Sequence, residues 1–247
     1  MYKLFFLLLI LAILFYSCKE NSTFKESSTD AFAESVQTDT QKDIIDEFIF
    51  LGESTTYHLK HRGVLSGGTN TTQVWAPKSG TLMLDTSTAS CRIVYPETGE
   101  ELELSEALSR KTPKYILLTF GLNGATKSIS KGSEYFKSCY SKLITTVRSA
   151  SPHTQIILQS CFPIGKGMDM SAHSVNSATL NEYINTINQW TRELSQELSV
   201  VYINTSSILK DSEGFLKAEY QTEDGYHLTK SAYVEILNHI RATALGG

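Results

Sequence analysis

Short apolar runs alternate with longer amphipathic stretches through most of this chain. The runs have the length of buried strands, whereas the stretches between them carry apolar residues at the spacing of a helix face. Strands separated by helices need crossover connections, so we expect a parallel sheet covered on both faces. The predicted strands are 48–51, 72–75, 115–120, 155–160 and 200–204, and the clearest predicted helices are 133–149, 176–198 and 230–244.

The region between residues 80 and 104 breaks this alternation. Residues 95–100, which include Pro96 and Gly99, read as a turn between two short extended pieces. We therefore expect a small β-hairpin inserted into the parallel fold.

Composition excludes some classes of partner. Of 247 residues, 41% are hydrophobic and 19% are charged, which suits one domain with a sizeable core. The formal net charge is −4 and no dense Lys/Arg run is present, so nucleic acid is not expected to be the main partner. Nothing in the sequence indicates an obligate protein partner.

Residues 1–18 have the pattern of an export signal. Lys3 precedes an apolar run from Leu4 to Tyr16, which is shorter than the roughly 20 residues of a spanning helix. The run ends at Ser17 and Cys18, which resembles the lipobox of bacterial lipoproteins and implies cleavage and acylation at Cys18. Phe15 and Tyr16 depart from that motif, so a conventional secretory signal or an uncleaved anchor is the alternative. We expect an extracytoplasmic protein anchored by lipid to a bacterial membrane.

Residues 19–42 are polar and are predicted to form a flexible tether, with the folded domain at 43–247. If Cys18 is lipidated, Cys91, Cys139 and Cys161 allow at most one internal disulfide. They lack the spacing of a metal site, and we expect buried thiols.

Ser54 is the first candidate for chemistry. The apolar run 48–51 stops at Gly52, which places Ser54 in the first turn of the following helix, where negative charge is favoured. A serine that only caps the helix would give the same local pattern. Partners elsewhere in the chain must therefore decide its role.

Two later segments supply such partners. Asp224 precedes His227 by three residues, so the carboxylate can fix the imidazole tautomer while the other ring nitrogen faces a nucleophile. Asn123 follows the strand 115–120 and can donate to an oxyanion. All lie at the carboxyl ends of strands or after the last strand, where open parallel sheets bind ligands.

The three segments together resemble a known family. Gly52-Glu53-Ser54, Gly121-Leu122-Asn123 and Asp224-Gly225-Tyr226-His227 look like blocks I, III and V of the SGNH/GDSL hydrolases. The resemblance implies an α/β fold: a three-layer α/β/α sandwich with a flavodoxin-like, five-stranded parallel sheet.

The resemblance also implies a role for each site residue. Ser54 would be the nucleophile, His227 the general base and then acid, and Asp224 the residue that orients His227. The oxyanion hole would comprise the Ser54 N–H, the Asn123 side-chain amide and a block II glycine. Gly80 is our choice for that glycine, with Gly67 and Gly68 as rivals. No cofactor and no metal are implied.

Two residues depart from the family pattern. Glu53 stands where the motif has Asp, and Gly124 stands where it has a second acid. The longer side chain of Glu53 could displace the turn that carries Ser54, and loss of the second acid could loosen the loop of Asn123.

Other residues near the predicted site admit two interpretations. Tyr57 and Tyr226 are candidates for substrate binding, although both could be packing residues. His58 and His61 could suggest a metal pair, but no third ligand has supporting spacing, so exposed or substrate-lining histidines are favoured. The loop 165–176 follows the fourth strand and is a candidate specificity loop.

We expect an exported serine esterase that forms an acyl-serine intermediate on short acyl esters, such as acetyl esters of carbohydrate. An acyltransferase with the same triad is the alternative within the enzyme class. A non-catalytic, carbohydrate-binding surface lipoprotein is the alternative outside that class.

Overall fold

A five-stranded parallel sheet forms the centre of the computed structural model, which describes residues 43–244. The predicted signal peptide with Cys18 and the predicted tether lie outside these residues. The strands are β1 (Phe48–Gly52), β2 (Val74–Trp75), β3 (Arg92–Val94), β4 (Glu101–Glu103), β5 (Tyr115–Thr119), β6 (Gln155–Gln159) and β7 (Val201–Ile203). The parallel sheet has the order β2-β1-β5-β6-β7, the flavodoxin-like arrangement, which confirms the predicted fold class.

Helices fill the connections between the strands. They are α1 (Ser54–His61), α2 (Leu104–Arg110), α3 (Ala125–Lys131), α4 (Ser133–Ala150), α5 (Ser177–Glu197), α6 (Ser206–Leu209) and α7 (Lys230–Ala244). The three helices predicted most clearly from periodicity are α4, α5 and α7. None of the helices among the described residues is long and apolar enough to cross a membrane.

Both faces of the sheet are buried, which explains why the strands read as continuous apolar runs. In β5, Ile116 and Leu118 face a core that also contains Tyr140 of α4 and Ile184 of α5. Leu117, one residue out of phase, packs on the opposite face with residues of α7. Helices on the two faces complete the three layers.

The predicted hairpin is present as a separate two-stranded sheet. β3 and β4 pair antiparallel, with Ile93 opposite Leu102. The Tyr95 N–H donates to the Glu100 carbonyl at 2.8 Å and closes the turn. The hairpin is joined to the rest of the domain by the Val94 N–H, which donates to the Ala76 carbonyl at 2.8 Å.

Gly52 allows the end of β1 to lie close to the end of β5. A Cβ at this position would lie 2.4 Å from the Thr119 carbonyl oxygen and 2.4 Å from Thr56 Oγ1, which are impossible contacts. The absence of a side chain therefore brings the segments that follow the two strands together. Those segments carry Ser54 and Asn123.

The three described cysteines are free thiols. Cys91, Cys139 and Cys161 are all buried, as expected for apolar packing residues. Burial raises the pKa of Cys91 to about 11, which keeps that thiol protonated and unreactive.

An ion pair joins the beginning of the described chain to its last helix. Arg241 of α7 donates to both carboxylate oxygens of Asp43, with Nε–Oδ1 and Nε–Oδ2 distances of 3.1 and 3.0 Å. The hydrogen bond from Arg241 lowers the pKa of Asp43 below its ordinary value. The ion pair therefore stabilises the fold when the pH lies above the ordinary pKa of aspartate. This contribution is lost as the pH falls through the lowered pKa of Asp43.

We predict that Asp43→Asn lowers the free energy of unfolding by about 0.5–1 kcal/mol at pH 7. Asparagine can still accept the hydrogen bond that the Ile45 N–H donates to residue 43, but it loses the ion pair with Arg241. Urea unfolding of both proteins at several pH values measures this effect. The two curves should converge at an acidic pH below the lowered pKa of Asp43, where its carboxylate is protonated. A difference that persists unchanged at that pH would show that the ion pair is not its cause.

Candidate functional site

The residues singled out from the sequence meet at one edge of the sheet. Ser54 is the first residue of α1, directly after β1, and Asn123 lies in the loop after β5. Asp224 and His227 lie in the segment before α7. All of these segments lie at the carboxyl end of the parallel strands.

Ser54, His227 and Asp224 form a continuous hydrogen-bonded chain. His227 Nε2 lies 3.0 Å from Ser54 Oγ, and His227 Nδ1 lies 2.7 Å from Asp224 Oδ2. Since a carboxylate only accepts, Nδ1 carries the proton and Nε2 is left free to accept the serine proton. This is the geometry of a serine nucleophile with its general base.

Asp224 is held in its charged form. Its partial burial raises the pKa, but hydrogen bonds from the His227 backbone and ring, the Tyr226 N–H and the Thr222 hydroxyl outweigh that effect and lower the pKa to about 2. Asp224 Oδ1 accepts from the backbone N–H groups of Tyr226 and His227 at 3.1 and 2.9 Å. The carboxylate therefore fixes both the loop and the imidazole.

Helix α1 is tied to the segment that carries His227. Arg62 Nε donates to the Leu228 carbonyl at 3.0 Å, and the Tyr233 hydroxyl of α7 donates to the Thr55 carbonyl. These bonds span the two ends of α1, so they set the position of Ser54 relative to His227.

Glu53 connects the nucleophile turn to the loop of Asn123. It is only 1% exposed, and its carboxylate accepts three backbone N–H bonds, from Gly121 at 2.9 Å, Leu122 at 3.0 Å and Asn123 at 2.9 Å. Burial raises the pKa of Glu53 to about 8, although these three donors act in the opposite direction. The departure from Asp thus leaves a carboxylate that organises the loop.

Gly124 occupies the other departing position. It precedes α3 with φ of 78°, a left-handed conformation that glycine adopts without strain. Gly124 supplies no carboxylate to the loop, and the backbone N–H groups that precede it are bound by Glu53.

The Asn123 amide and the Ser54 N–H converge on one oxygen atom. Thr81 Oγ1 accepts from the Ser54 N–H at 3.0 Å and from Asn123 Nδ2 at 2.8 Å. Asn123 Nδ2 also donates to the Leu82 carbonyl at 2.9 Å. These two donors have the arrangement of an oxyanion hole.

The N–H groups of two of the three candidate block II glycines, Gly80 and Gly68, are used in turns. The Gly80 N–H donates to the Pro77 carbonyl at 2.9 Å, and the Gly68 N–H donates to the Leu65 carbonyl. Gly67 lies against the backbone of its own turn at Thr71. Gly80 is next to the site because it precedes Thr81, but in this conformation the geometry does not support it as an oxyanion donor. A turn hydrogen bond of this kind cannot be read from the sequence.

Tyr57 and Tyr226 occupy different surroundings. Tyr57 packs against Gly80 and its ring lies edge-on to His61, so it supports the segment that carries Thr81. Tyr226 lies against the His227 ring, with centroids 4.4 Å apart. Of the two, only Tyr226 lies against a triad residue in these contacts.

The loop 165–176 lies beside the triad, as expected for a specificity loop. The Gly165 N–H donates to the Gly225 carbonyl at 2.7 Å, next to Asp224. At its other end, the Thr126 hydroxyl of α3 donates to the His173 carbonyl at 2.7 Å. The loop therefore connects the Asp224–His227 segment to the helix that follows Asn123.

His58 stacks on the catalytic imidazole. The rings of His58 and His227 lie 4.0 Å apart at 18°, whereas His61 meets His58 edge-on. Burial, followed by the charges of His227 and His61, lowers the pKa of His58 to about 4. Within residues 43–244, no group of three or more His, Cys, Asp or Glu side chains could hold a metal ion.

Comparison with known proteins identifies the family. A family model described as GDSL-like Lipase/Acylhydrolase matches residues 50–234, which is most of the chain. The chain belongs to the GDSL-like lipase/acylhydrolase family. This confirms the resemblance in the sequence, and the protein is accordingly a GDSL-type serine hydrolase. No curated protein matches the chain.

Solved structures share the fold of this GDSL hydrolase at low sequence identity. One, assigned to the G-D-S-L family of lipolytic proteins from Desulfitobacterium hafniense DCB-2, is 13% identical with a TM-score of 0.54, over 79% of this chain and 97% of that chain. Another is the periplasmic domain of a lipopolysaccharide acetyltransferase from Salmonella ser. Paratyphi A. It is 16% identical with a TM-score of 0.54, over 81% of this chain and 84% of that chain.

We predict that Glu53→Gln lowers the free energy of unfolding of this GDSL hydrolase by about 1–3 kcal/mol. The substituted NH₂ group cannot accept a hydrogen bond, so at least one backbone N–H in the loop loses its partner. Turnover of p-nitrophenyl acetate should also fall, because Asn123 is displaced. Urea unfolding and initial rates measure the two effects.

Glu182→Gln on α5 is the matched control, because the Glu182 side chain is exposed. That variant should resemble the wild type in both measurements. A Glu53→Gln protein with wild-type stability and turnover would contradict the role given to the carboxylate.

Proposed function

We propose that this GDSL hydrolase is an exported serine esterase that removes short acyl groups, such as acetyl, from carbohydrate. The single observation that carries the esterase chemistry is the Ser54–His227–Asp224 chain beside two oxyanion donors. A serine hydroxyl becomes an effective nucleophile when an adjacent base takes its proton.

The reaction has two halves. Ser54 Oγ attacks the ester carbonyl carbon while His227 Nε2 takes the hydroxyl proton, and the negative charge on the carbonyl oxygen is bound by the Ser54 N–H and the Asn123 amide. The C–O bond to the alcohol then breaks, His227 protonates the departing alcohol, and the acyl group stays on Ser54. Water, deprotonated by His227, then attacks the acyl-serine; the bond between the acyl carbon and Ser54 Oγ breaks, His227 returns the proton to Oγ, and the carboxylic acid leaves.

The surroundings of the triad favour a polar alcohol over a lipid. A cavity of about 600 Å³ next to Asp224 and His227 is otherwise lined by His58, Arg62, Gln221, Thr222 and Glu223. A second, of about 420 Å³, lies beside Gly124 and is lined chiefly by Thr126, Lys127, Ser130, His173 and Ser174. Hydroxyl groups of a sugar can bond to such side chains, and the only aliphatic side chains among the described residues that line the two cavities are those of Ala125 and Ala172.

We predict that the full chain, purified in detergent, hydrolyses p-nitrophenyl acetate faster than the butyrate ester and releases acetate from acetylated xylan. Ser54→Ala should lower these rates by about 10³-fold or more, because it removes the nucleophile. Ser149→Ala, an exposed serine of α4, is the matched control and should keep wild-type rates.

The same experiment distinguishes the acyltransferase. If added sugar acceptors become acetylated at the expense of free acetate, the acyl-serine reacts with alcohols in preference to water. Equal inertness of wild type and Ser54→Ala would instead favour a binding protein without turnover and would remove the esterase proposal.

Export and lipid anchoring rest on the pattern of residues 1–18. Acylation at Cys18 would hold the domain at a membrane through the tether, and stable attachment requires two or more acyl chains.

We predict that the protein expressed in bacteria incorporates an alkyne-labelled fatty acid and fractionates with membranes, and that Cys18→Ser loses the label. Cys91→Ser, which alters a buried thiol of the domain, is the control and should stay labelled. Labelling that persists in Cys18→Ser would overturn the anchor.

A further inference from the structure

Thr81 occupies the position where a substrate carbonyl oxygen would bind. Its Oγ1 lies 3.0 Å from the Ser54 backbone nitrogen and 2.8 Å from Asn123 Nδ2. Oxyanion donors act at about 2.7–3.1 Å from the oxygen that they stabilise. A neutral hydroxyl oxygen of the protein therefore meets the distance requirement for the reacting oxygen of an ester.

The orientation of the Asn123 amide supports this interpretation. Its second N–H is directed to the Leu82 carbonyl, which can only accept. A reversed amide would place its oxygen against the Leu82 carbonyl and lose that bond, so the Nδ2 group faces Leu82 and Thr81. These two donors are thus already in place, and the side chain of Thr81 occupies the position between them.

The segment that carries Thr81 allows the hydroxyl to move away from the two donors. Residues 76–87 form no helix or strand, and the Thr81 side chain is half-buried. Rotation about the Cα–Cβ bond to another staggered position can exchange the hydroxyl for the hydrogen on Cβ. The oxygen position can then open without movement of Ser54 or Asn123.

We propose that Thr81 competes with the substrate for the oxyanion hole, so that each ester must displace the Thr81 hydroxyl before Ser54 can attack. This inference rests on the esterase chemistry proposed above. Only the state in which the hydroxyl has left binds substrate productively. The apparent Kd is therefore the intrinsic Kd divided by the fraction of molecules in that state. The hydroxyl forms no covalent bond in this step.

The test compares Thr81→Ala, which removes the hydroxyl, with Thr81→Ser, which retains it, in the full chain. Thr81→Ala should raise kcat/KM for p-nitrophenyl acetate about five- to tenfold, mainly through a lower KM, since the bonds of the hydroxyl to Ser54, Asn123 and Leu82 no longer have to be broken. The second-order rate of Ser54 labelling by a fluorophosphonate should rise similarly, because the phosphonyl oxygen enters the same hole. Thr81→Ser should show no such gain.

A structural effect of the substitution would not give this pattern. If Thr81→Ala only loosened the segment, kcat would fall and fluorophosphonate labelling would slow. In that case, or if the Ala and Ser variants behave alike, competition by the hydroxyl is overturned while the esterase proposal stands. If no fluorophosphonate label appears on Ser54 in any of the proteins, the esterase chemistry and the Thr81 inference fail together.

An independent measurement is the proton resonance of the Asn123 side-chain amide. It should shift in Thr81→Ala and stay near the wild-type position in Thr81→Ser, because only the first variant removes the acceptor. An unchanged resonance in Thr81→Ala would show that the hydroxyl does not fill the hole in solution.

Discussion

The buried carboxylate of Glu53 connects the two strand ends on which the site is built. It follows β1 immediately, and it accepts the backbone N–H groups of three consecutive residues after β5. A buried carboxylate is costly unless it is hydrogen-bonded, and here each donor belongs to the loop that carries Asn123. The desolvation cost and the loop conformation are therefore coupled. The carboxylate is accommodated only where the loop presents its N–H groups, and the loop keeps that shape only while the carboxylate is present.

This coupling explains why two departures from the family motif leave the site assembled. A longer side chain at residue 53 could displace the Ser54 turn, yet the carboxylate of Glu53 extends to the loop of Asn123 and is bound there. Gly124 has no carboxyl group, but the N–H groups before it are bound by Glu53. Gly52 makes the arrangement possible, because any side chain there would separate the two strand ends. These three residues act as one unit in placing Ser54 and Asn123.

The parallel sheet could be predicted from local patterns, and the roles of the triad residues from the resemblance of three separate segments to one family. Buried parallel strands are continuous apolar runs, and α4, α5 and α7 have clear helical periodicity. Asp224 and His227 are three residues apart, so their contact needs only one loop.

The contents of the oxyanion hole could not be predicted. The Thr81 contact with Ser54 depends on the path of an irregular segment, and the Gly80 N–H is used by a turn to Pro77. Likewise, the three bonds of Glu53 join positions about 70 residues apart, which no local pattern encodes.

The two charges that develop during ester attack meet very different surroundings. The positive charge on His227 forms beside the Asp224 carboxylate, which is ionised at any pH well above 2. The His58 ring stacked on His227 has a pKa lowered to about 4, so it is uncharged where His227 must accept a proton and adds no repulsion. The carboxylate that will stabilise the positive charge on His227 is thus in place before substrate binds. The negative charge on the carbonyl oxygen relies on two neutral donors that the Thr81 hydroxyl occupies in the free protein. Displacement of the Thr81 hydroxyl from these donors, rather than activation of Ser54, is therefore the step that we infer to precede attack on the ester.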